Sequence, residues 1–140
     1  MSILVAGGAG YIGAHVVRLL LERGDEVIVV DDLSYGSPER VEGAEVIKLD
    51  VASGQAVEVL ADAMERRGVT AVIHFAARKQ VGESVARPGW YYQQNVGGLA
   101  NMLLAMEQAR VEQMIFSSSA AVYGMPPVEV VPEDIDCHPI

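Results

Sequence analysis

Between an apolar run, Ile3 to Ala6, and a helix-like stretch that opens at Tyr11 lies Gly7-Gly8-Ala9-Gly10-Tyr11-Ile12-Gly13, with glycines spaced G-x-x-G-x-x-G. Such a loop admits positive φ and lets the backbone approach a bound group closely. The helix that follows turns its free N–H groups and positive dipole end toward an anion. Gly7, Gly10 and Gly13 are therefore candidate contacts to a diphosphate, with Gly13 also allowing the helix to sit tightly on the sheet. The glycine spacing alone is weak, and its setting strengthens it. The next apolar run ends at Asp31, 18 residues after Gly13, where an acid can accept from both ribose hydroxyls of an adenosine. Its charge repels a 2′-phosphate and no arginine follows immediately, which favours NAD over NADP. Asp32 is adjacent, so either acid could take that role. Asp50-Val51 closes the third run. An Asp there either accepts from an adenine amino group while the next N–H donates to the ring, or caps the helix after it. Spacing does not choose between the two.

The rest of the chain repeats the same grammar. Ile3–Ala6, Val27–Val30, Val46–Leu49, Ala71–Phe75 and Met114–Phe116 read as strands, rich in Val and Ile and apolar on both faces, as a covered parallel sheet requires. Helices are expected near Tyr11–Arg23, Gln55–Arg67 and Trp90–Ala109. In the last of these Leu99, Met102, Leu103 and Met106 fall on one face, most simply a core-packing face. Gly24 and Gly68 stand just past two helices, where a left-handed residue ends them cheaply. Strand–helix–strand repetition means right-handed βαβ units. The expected fold is α/β, a Rossmann-type doubly wound parallel sheet in the order 3-2-1-4-5. Residues 125–140 hold four prolines and four acids without a helical period, and read as a loop leading onward.

Composition narrows the partners. At 51% hydrophobic and 21% charged, the chain can bury a core. Nineteen acids against ten bases give a net charge of -9 with no basic cluster, which excludes nucleic-acid binding by bulk charge. No apolar run approaches the roughly 18 residues of a membrane span, and the amino terminus lacks the charged region of a secretory signal. Cys137 is the single cysteine, which fits a reducing, cytoplasmic location. With His138 it is too sparse for a metal site, so none is expected. His15 reads as packing, and His74 as a structural hydrogen-bonding residue.

Six segments occur together in order: the glycine loop, Asp31-Asp32-Leu33-Ser34, His74-Phe75-Ala76-Ala77, Lys79-Gln80-Val81-Gly82-Glu83-Ser84, Tyr91-Tyr92-x-x-Asn95-Val96, and Ser117-Ser118-Ser119-Ala120-Ala121-Val122-Tyr123-Gly124. Over essentially the whole chain they resemble the UDP-glucose 4-epimerase family, extended short-chain dehydrogenases/reductases. The resemblance implies a tightly held NAD and a UDP-sugar substrate. A tyrosine takes the proton of the sugar 4-hydroxyl while C4 gives hydride to the nicotinamide, and hydride then returns to the other face. It also places Tyr11 and Ile12 at the pyrophosphate, Asp31, Asp32, Leu33 and Ser34 at the adenosine ribose, and Asp50 and Val51 at the adenine. Phe75, Ala76, Ala77 and Lys79 fall beside the cofactor at the end of the fourth strand. Ser119 falls where the catalytic hydroxyl sits. On the residues alone, Lys79 is a surface lysine and Ser119 one of three serines closing a strand. Leu99, Ala121 and Ala77 depart from the family's usual Thr, Thr and Gly.

The family's Tyr-x-x-x-Lys does not occur in these residues. The lysines are Lys48 and Lys79, preceded at four residues by Ala44 and Phe75, and Pro127 stands four after Tyr123. Tyr123 reads as part of the Val-Tyr-Gly turn. The resemblance places the motif beyond Ile140, so the chain is expected to be the NAD-binding, amino-terminal part of a longer protein (1–140, with 125–140 leading onward), inactive alone. The fifth strand is then an open edge, and exposed apolar surface suggests a homodimer or other self-association. A 4,6-dehydratase or decarboxylase of the same superfamily is the nearest rival. It is disfavoured because Ala120 and Ala121 stand where dehydratases carry Asp-Glu. A non-catalytic NAD-binding module is a rival of another kind, and it has no need of Ser119 or the Lys79–Ser84 segment.

Overall fold

The computed structural model describes residues 1–139. Five strands, β1 (Ser2–Ala6), β2 (Glu26–Asp31), β3 (Glu45–Lys48), β4 (Ala71–His74) and β5 (Gln113–Phe116), form one sheet in the order β3-β2-β1-β4-β5. Every pairing is parallel: Val5 lies opposite Val29 and Ile73, Val29 opposite Val46, and Ile73 opposite Ile115. The helices are α1 (Tyr11–Glu22), α2 (Ala56–Arg66), α3 (Val81–Ala86), α4 (Pro88–Tyr92) and α5 (Gly98–Ala109). This is the doubly wound, Rossmann-type sheet expected from the glycine loop and the alternating runs.

Because side chains alternate across a strand, each strand feeds two cores. Leu4, Ile28, Val30 and Val72 point to the layer filled by Leu60 and Met64 of α2 and Met102 and Met106 of α5. Ile3, Val5, Val27, Val29 and Ile73 point to the layer filled by Val17 and Leu20 of α1. The apolar-on-both-faces pattern of the runs follows directly from this sandwich. Gly24 and Gly68 adopt φ of +86° and +57° and end α1 and α2.

Three details depart from the sequence expectation. The helix expected over Trp90–Ala109 is in fact α4, a π-helical turn over Gln93–Gly97, and α5. Pro88 starts α4, and the wider π turn inserts before α5 resumes. The core-facing stripe of α5 is Gly98, Met102, Ala105 and Met106, whereas Leu103 is 49% exposed. Gly98 lies close against Val51, where a Cβ would stand 2.9 Å from its side chain, and Leu103, about 100° round the helix from Met102, falls outside the buried stripe. Leu49 and Phe75 lie just past their strands, not within them.

The sheet is covered unevenly. Ile115 of β5 points to the α1 side, as Ile73 does, and is 65% exposed. Phe116, Leu103 and Leu104 are exposed as well, and β5 is an edge strand. Residues 125–139 contain no regular element.

The buried face of α5 is open to direct test. Met102→Ala removes a fully buried side chain and is expected to lower unfolding free energy by about 2–5 kcal/mol. Leu103→Ala should cost less than about 1 kcal/mol. Urea denaturation of both variants measures the difference, and equal losses would contradict the packing described.

Candidate dinucleotide-binding cleft

The glycine turn follows from steric necessity. Gly7 has φ +75°, and a Cβ there would stand 2.7 Å from the backbone nitrogen of Ala76 in the loop after β4. A Cβ on Gly13 would collide with the carbonyl oxygen of Gly7. These two positions exclude side chains because the protein's own backbone fills the space. Gly10 differs. A Cβ there meets only the Gly7 oxygen, at 3.3 Å, a tight contact on one side with open space on the others. Gly10 is the N-cap of α1 and provides no side-chain cap, and the first turn of α1 contains no acid. The N–H groups of that turn, at Tyr11, Ile12 and Gly13, have no intrahelical acceptor. Tyr11 and Ile12 expose their side chains.

Asp31 ends β2, paired with Lys48 in the β2–β3 register. One carboxylate oxygen accepts from Ala9 N–H at 3.0 Å and the other from Leu33 N–H at 2.9 Å. The second bond closes a tight turn that leaves Leu33 at φ 60°. Asp32 faces elsewhere. It accepts from the Ser34 N–H at 2.9 Å and the Ser34 hydroxyl at 2.6 Å, and it pairs with the Arg78 guanidinium. Partial burial works against its charge, but the Ser34 hydrogen bonds and Arg78 together hold its carboxyl below the ordinary value of 3.8. The two acids thus have separate partners, Asp31 the glycine turn and Asp32 a cation.

Asp50 accepts from Ala52 N–H at 2.8 Å and from the Gln94 side-chain amide at 3.0 Å. The N-cap of α2 is Gln55, so the capping alternative for Asp50 is set aside. The carboxylate instead closes its own turn and reaches the π turn. Val51 is buried, and its carbonyl accepts from Asn101 at 2.9 Å.

Phe75 N–H donates to Ala6 at 2.8 Å, which seats the start of the β4 loop beside the glycine turn. Ala77 and Lys79 are exposed. Ser119 is the N-cap of a short 3₁₀ turn over Ala120–Tyr123, its hydroxyl accepting from Ala121 N–H at 3.2 Å. Hydrogen bonding thus links the glycine turn, Asp31, Asp32, Ser34 and Asp50 through their loops, with Lys79 and Ser119 outside that network. The sequence reading missed Arg78, the residue in which the network converges. A signal was present: Arg78 and Lys79 are the only bases between Arg67 and Arg87, and Asp32 is an extra acid beside Asp31.

Two histidines differ from each other. His15, expected to pack, is exposed and sits edge-on to Tyr11 at 5.1 Å. His74 is 2% exposed, stacked on Phe116 at 5.9 Å, with its Nδ1 unpartnered.

A glycine turn between strand and helix, a helix start free of side-chain caps, and an acid at the end of the second strand define the dinucleotide-binding class of open α/β domains. The profile of the NAD dependent epimerase/dehydratase family matches residues 3–140, and the chain belongs to that family. It is 45% identical over 141 residues to the UDP-glucose 4-epimerase of Erwinia amylovora, covering 94% of this chain and 42% of that one. It is 42% identical to the same enzyme of Haemophilus influenzae, covering 99% and 42%. Among solved structures, UDP-glucose 4-epimerase from Brucella ovis in complex with NAD superposes with a TM-score of 0.90 at 40% identity, over 99% of this chain and 42% of that chain. The Bifidobacterium longum enzyme in complex with NAD+ and UDP gives 0.90 at 36%, over 99% and 43%. The chain therefore spans about two-fifths of the length of these relatives.

The burial of His74 has a consequence in pH. Burial pushes its imidazole below the ordinary 6.5, and the Ala76 backbone only partly offsets this. Both states are neutral well above 6.5. As pH falls through that value the unfolded chain takes up a proton that the folded chain refuses, so stability is lost from there down to the folded-state value. His74→Phe, which keeps a ring against Phe116, should lack this component. Urea midpoints between about pH 7.5 and 5.5 test it, and identical pH profiles for the two proteins would refute it.

Proposed function

We propose that this chain forms the NAD-binding part of a UDP-hexose 4-epimerase that interconverts UDP-glucose and UDP-galactose. The observation that carries the reading is the carboxylate of Asp31, fixed on the glycine turn beside the uncapped start of α1. The similarity to UDP-glucose 4-epimerases along the whole chain supports the choice of reaction.

The residues fit the cofactor. A carboxylate has about four acceptor sites. Asp31 uses one on each oxygen for Ala9 and Leu33, which leaves one on each for a ribose hydroxyl. It can only accept, so it suits hydroxyl donors and repels a 2′-phosphate. The open side of Gly10 leaves room for the diphosphate, received by the N–H groups of Tyr11, Ile12 and Gly13, with Gly7 setting the turn. Leu33 and Ser34 line the ribose with Asp31, while Asp32, the other acid offered for that role, is held away by Ser34 and Arg78, and Asp50 and Val51 receive the adenine. Phe75, Ala76, Ala77 and Lys79 flank the nicotinamide end. NAD, when bound, supplies the hydride acceptor and donor for sugar C4. Ser119, at the end of β5, shares the proton of the 4-hydroxyl. The UDP-sugar is the partner in the complete protein, a homodimer or other self-association the assembly, and the cytoplasm the compartment, where Cys137 stays reduced.

Calorimetry should show NAD binding in preference to NADP. Asp31→Ala should weaken NAD binding by roughly 1–3 kcal/mol, and an unchanged dissociation constant would remove Asp31 from the site. The 140-residue chain, which contains no Tyr-x-x-x-Lys, should convert no UDP-galactose in a coupled assay. Measurable turnover would show that this chemistry has been misassigned.

A further inference from the structure

Arg78 is anchored at its backbone and extended at its side chain. Its N–H donates to the Asn95 side-chain oxygen at 2.7 Å, and its carbonyl accepts from the Asn95 amide at 3.0 Å. From that double clamp on the π turn the side chain leaves the β4 loop and reaches the loop after β2. There it donates to the Ser34 hydroxyl at 2.6 Å and pairs with Asp32. Its Nε donates to Gln94 at 3.2 Å, and the rings of Tyr35 and Trp90 lie 5.8 and 5.3 Å from the guanidinium carbon. The side chain is 16% exposed and that of Asp32 27%, so the pair is shielded more than an ordinary surface ion pair.

The topology gives this pair its meaning. β2 and β4 are the two neighbours of β1, so a bridge between their tips passes over the end of β1, where the glycine turn begins. The same two loops also touch that turn. Gly36, in the loop after β2, lies against Ala9, and Ser37 N–H donates to the Ala9 carbonyl at 3.2 Å. Ala76, in the loop after β4, lies against Gly7. The glycine turn, the loop after β2, Arg78 and the loop after β4 therefore form a closed ring.

We propose that Arg78 is a positioning residue for the dinucleotide, its ion pair with Asp32 closing this ring around the adenosine–diphosphate half so that the cofactor passes in or out only when the pair opens. The inference rests on the NAD reading above and adds to it a control on exchange. A bridge that closes over the cleft obstructs both directions of passage. Breaking it therefore raises the association and dissociation rate constants together, and the dissociation constant changes less than either. A residue that merely touched bound cofactor would alter dissociation alone. A residue that merely stabilised the fold would alter the melting temperature and neither rate.

Trp90, the only tryptophan, lies beside Arg78 and supplies the signal for stopped-flow mixing of the full chain with NAD. In both Arg78→Leu and Asp32→Asn, the two rate constants should rise on the order of tenfold, the scale of one charge-assisted hydrogen bond. The double variant should exchange no faster than either single one. Asp32→Asn preserves side-chain size, so it carries the test if Arg78→Leu unfolds, with circular dichroism reporting the fold. Wild-type rates in both folded variants, or a faster dissociation with unchanged association, would overturn the proposal and leave NAD binding intact. Failure of the wild-type chain to bind NAD at all would overturn the dinucleotide reading, and the proposal with it.

Discussion

The carboxylate of Asp31 accepts from the Ala9 N–H with one oxygen and from the Leu33 N–H with the other. Its position at the end of β2 is itself set by the ladder to β3. One side chain thereby fixes the separation between the glycine turn and the neighbouring loop. Each bond from an ionised acceptor to a backbone donor is stronger than a neutral one, and two of them on one rigid carboxylate leave the loops little freedom. The turn could not be held this close if Gly7 or Gly13 carried a Cβ, because backbone atoms of Ala76 and Gly7 occupy those volumes. Carboxylate and glycines are thus two halves of one constraint.

From that constraint the rest of the cleft follows outward along the strand tips. Ala76 is seated on Gly7, which sets where the β4 loop departs and so where Arg78 begins. Asn95 holds the Arg78 backbone from the π turn, and Gln94 of the same turn reaches both Arg78 and Asp50. A π turn widens the helix locally and so changes the facing of successive residues; such turns recur at functional sites. Here it lets adjacent residues, Gln94 and Asn95, both face the strand tips. Tyr91, one turn earlier, fixes the next part of the same loop by donating to the Gln80 carbonyl and accepting from its N–H, both at 2.9 Å.

What could be read from the sequence was whatever is encoded locally. The glycine turn, the five apolar runs, the terminating Gly24 and Gly68 and the acid at Asp31 each owe their meaning to residues a few positions away; alternation with helices gives right-handed βαβ units, and the glycine loop on the first of them points to the order 3-2-1-4-5 among doubly wound sheets. Features that depend on distant neighbours could not be read in this way. The extra acid at Asp32 and the isolated bases at Arg78 and Lys79 stand in the sequence, but their separation by 46 residues leaves the pairing to the fold. Helical periodicity places Leu103 beside Met102 on an apolar stripe, yet which edge of that stripe is buried depends on what packs against it, and it is the Gly98, Met102, Ala105 and Met106 edge that faces the core. Asp50 stands before a helix as a cap would, but the helix begins later, and its carboxylate serves its own turn and Gln94. The π turn leaves no trace in a pattern of apolar spacing.

The same layering explains why rigidity is unevenly distributed along the cleft. At β1 and β2 both faces of the sheet are filled, by α2 and α5 on one side and α1 on the other, and buried packing is what makes local opening costly. At β5 only one side is filled, and Ile115 stands exposed opposite the buried Ile73. The half of the cleft around the glycine turn, Asp31 and Arg78 therefore rests on the best-packed part of the sheet, while Ser119 hangs from an edge strand packed on one face. On the dinucleotide reading the N–H donors of the first turn of α1 must be fixed to fractions of an ångström, and they lie over the doubly covered strands. The hydroxyl of Ser119 lies beyond the singly covered strand, where Ile115 and Phe116 are exposed, so it is held less firmly than the glycine turn.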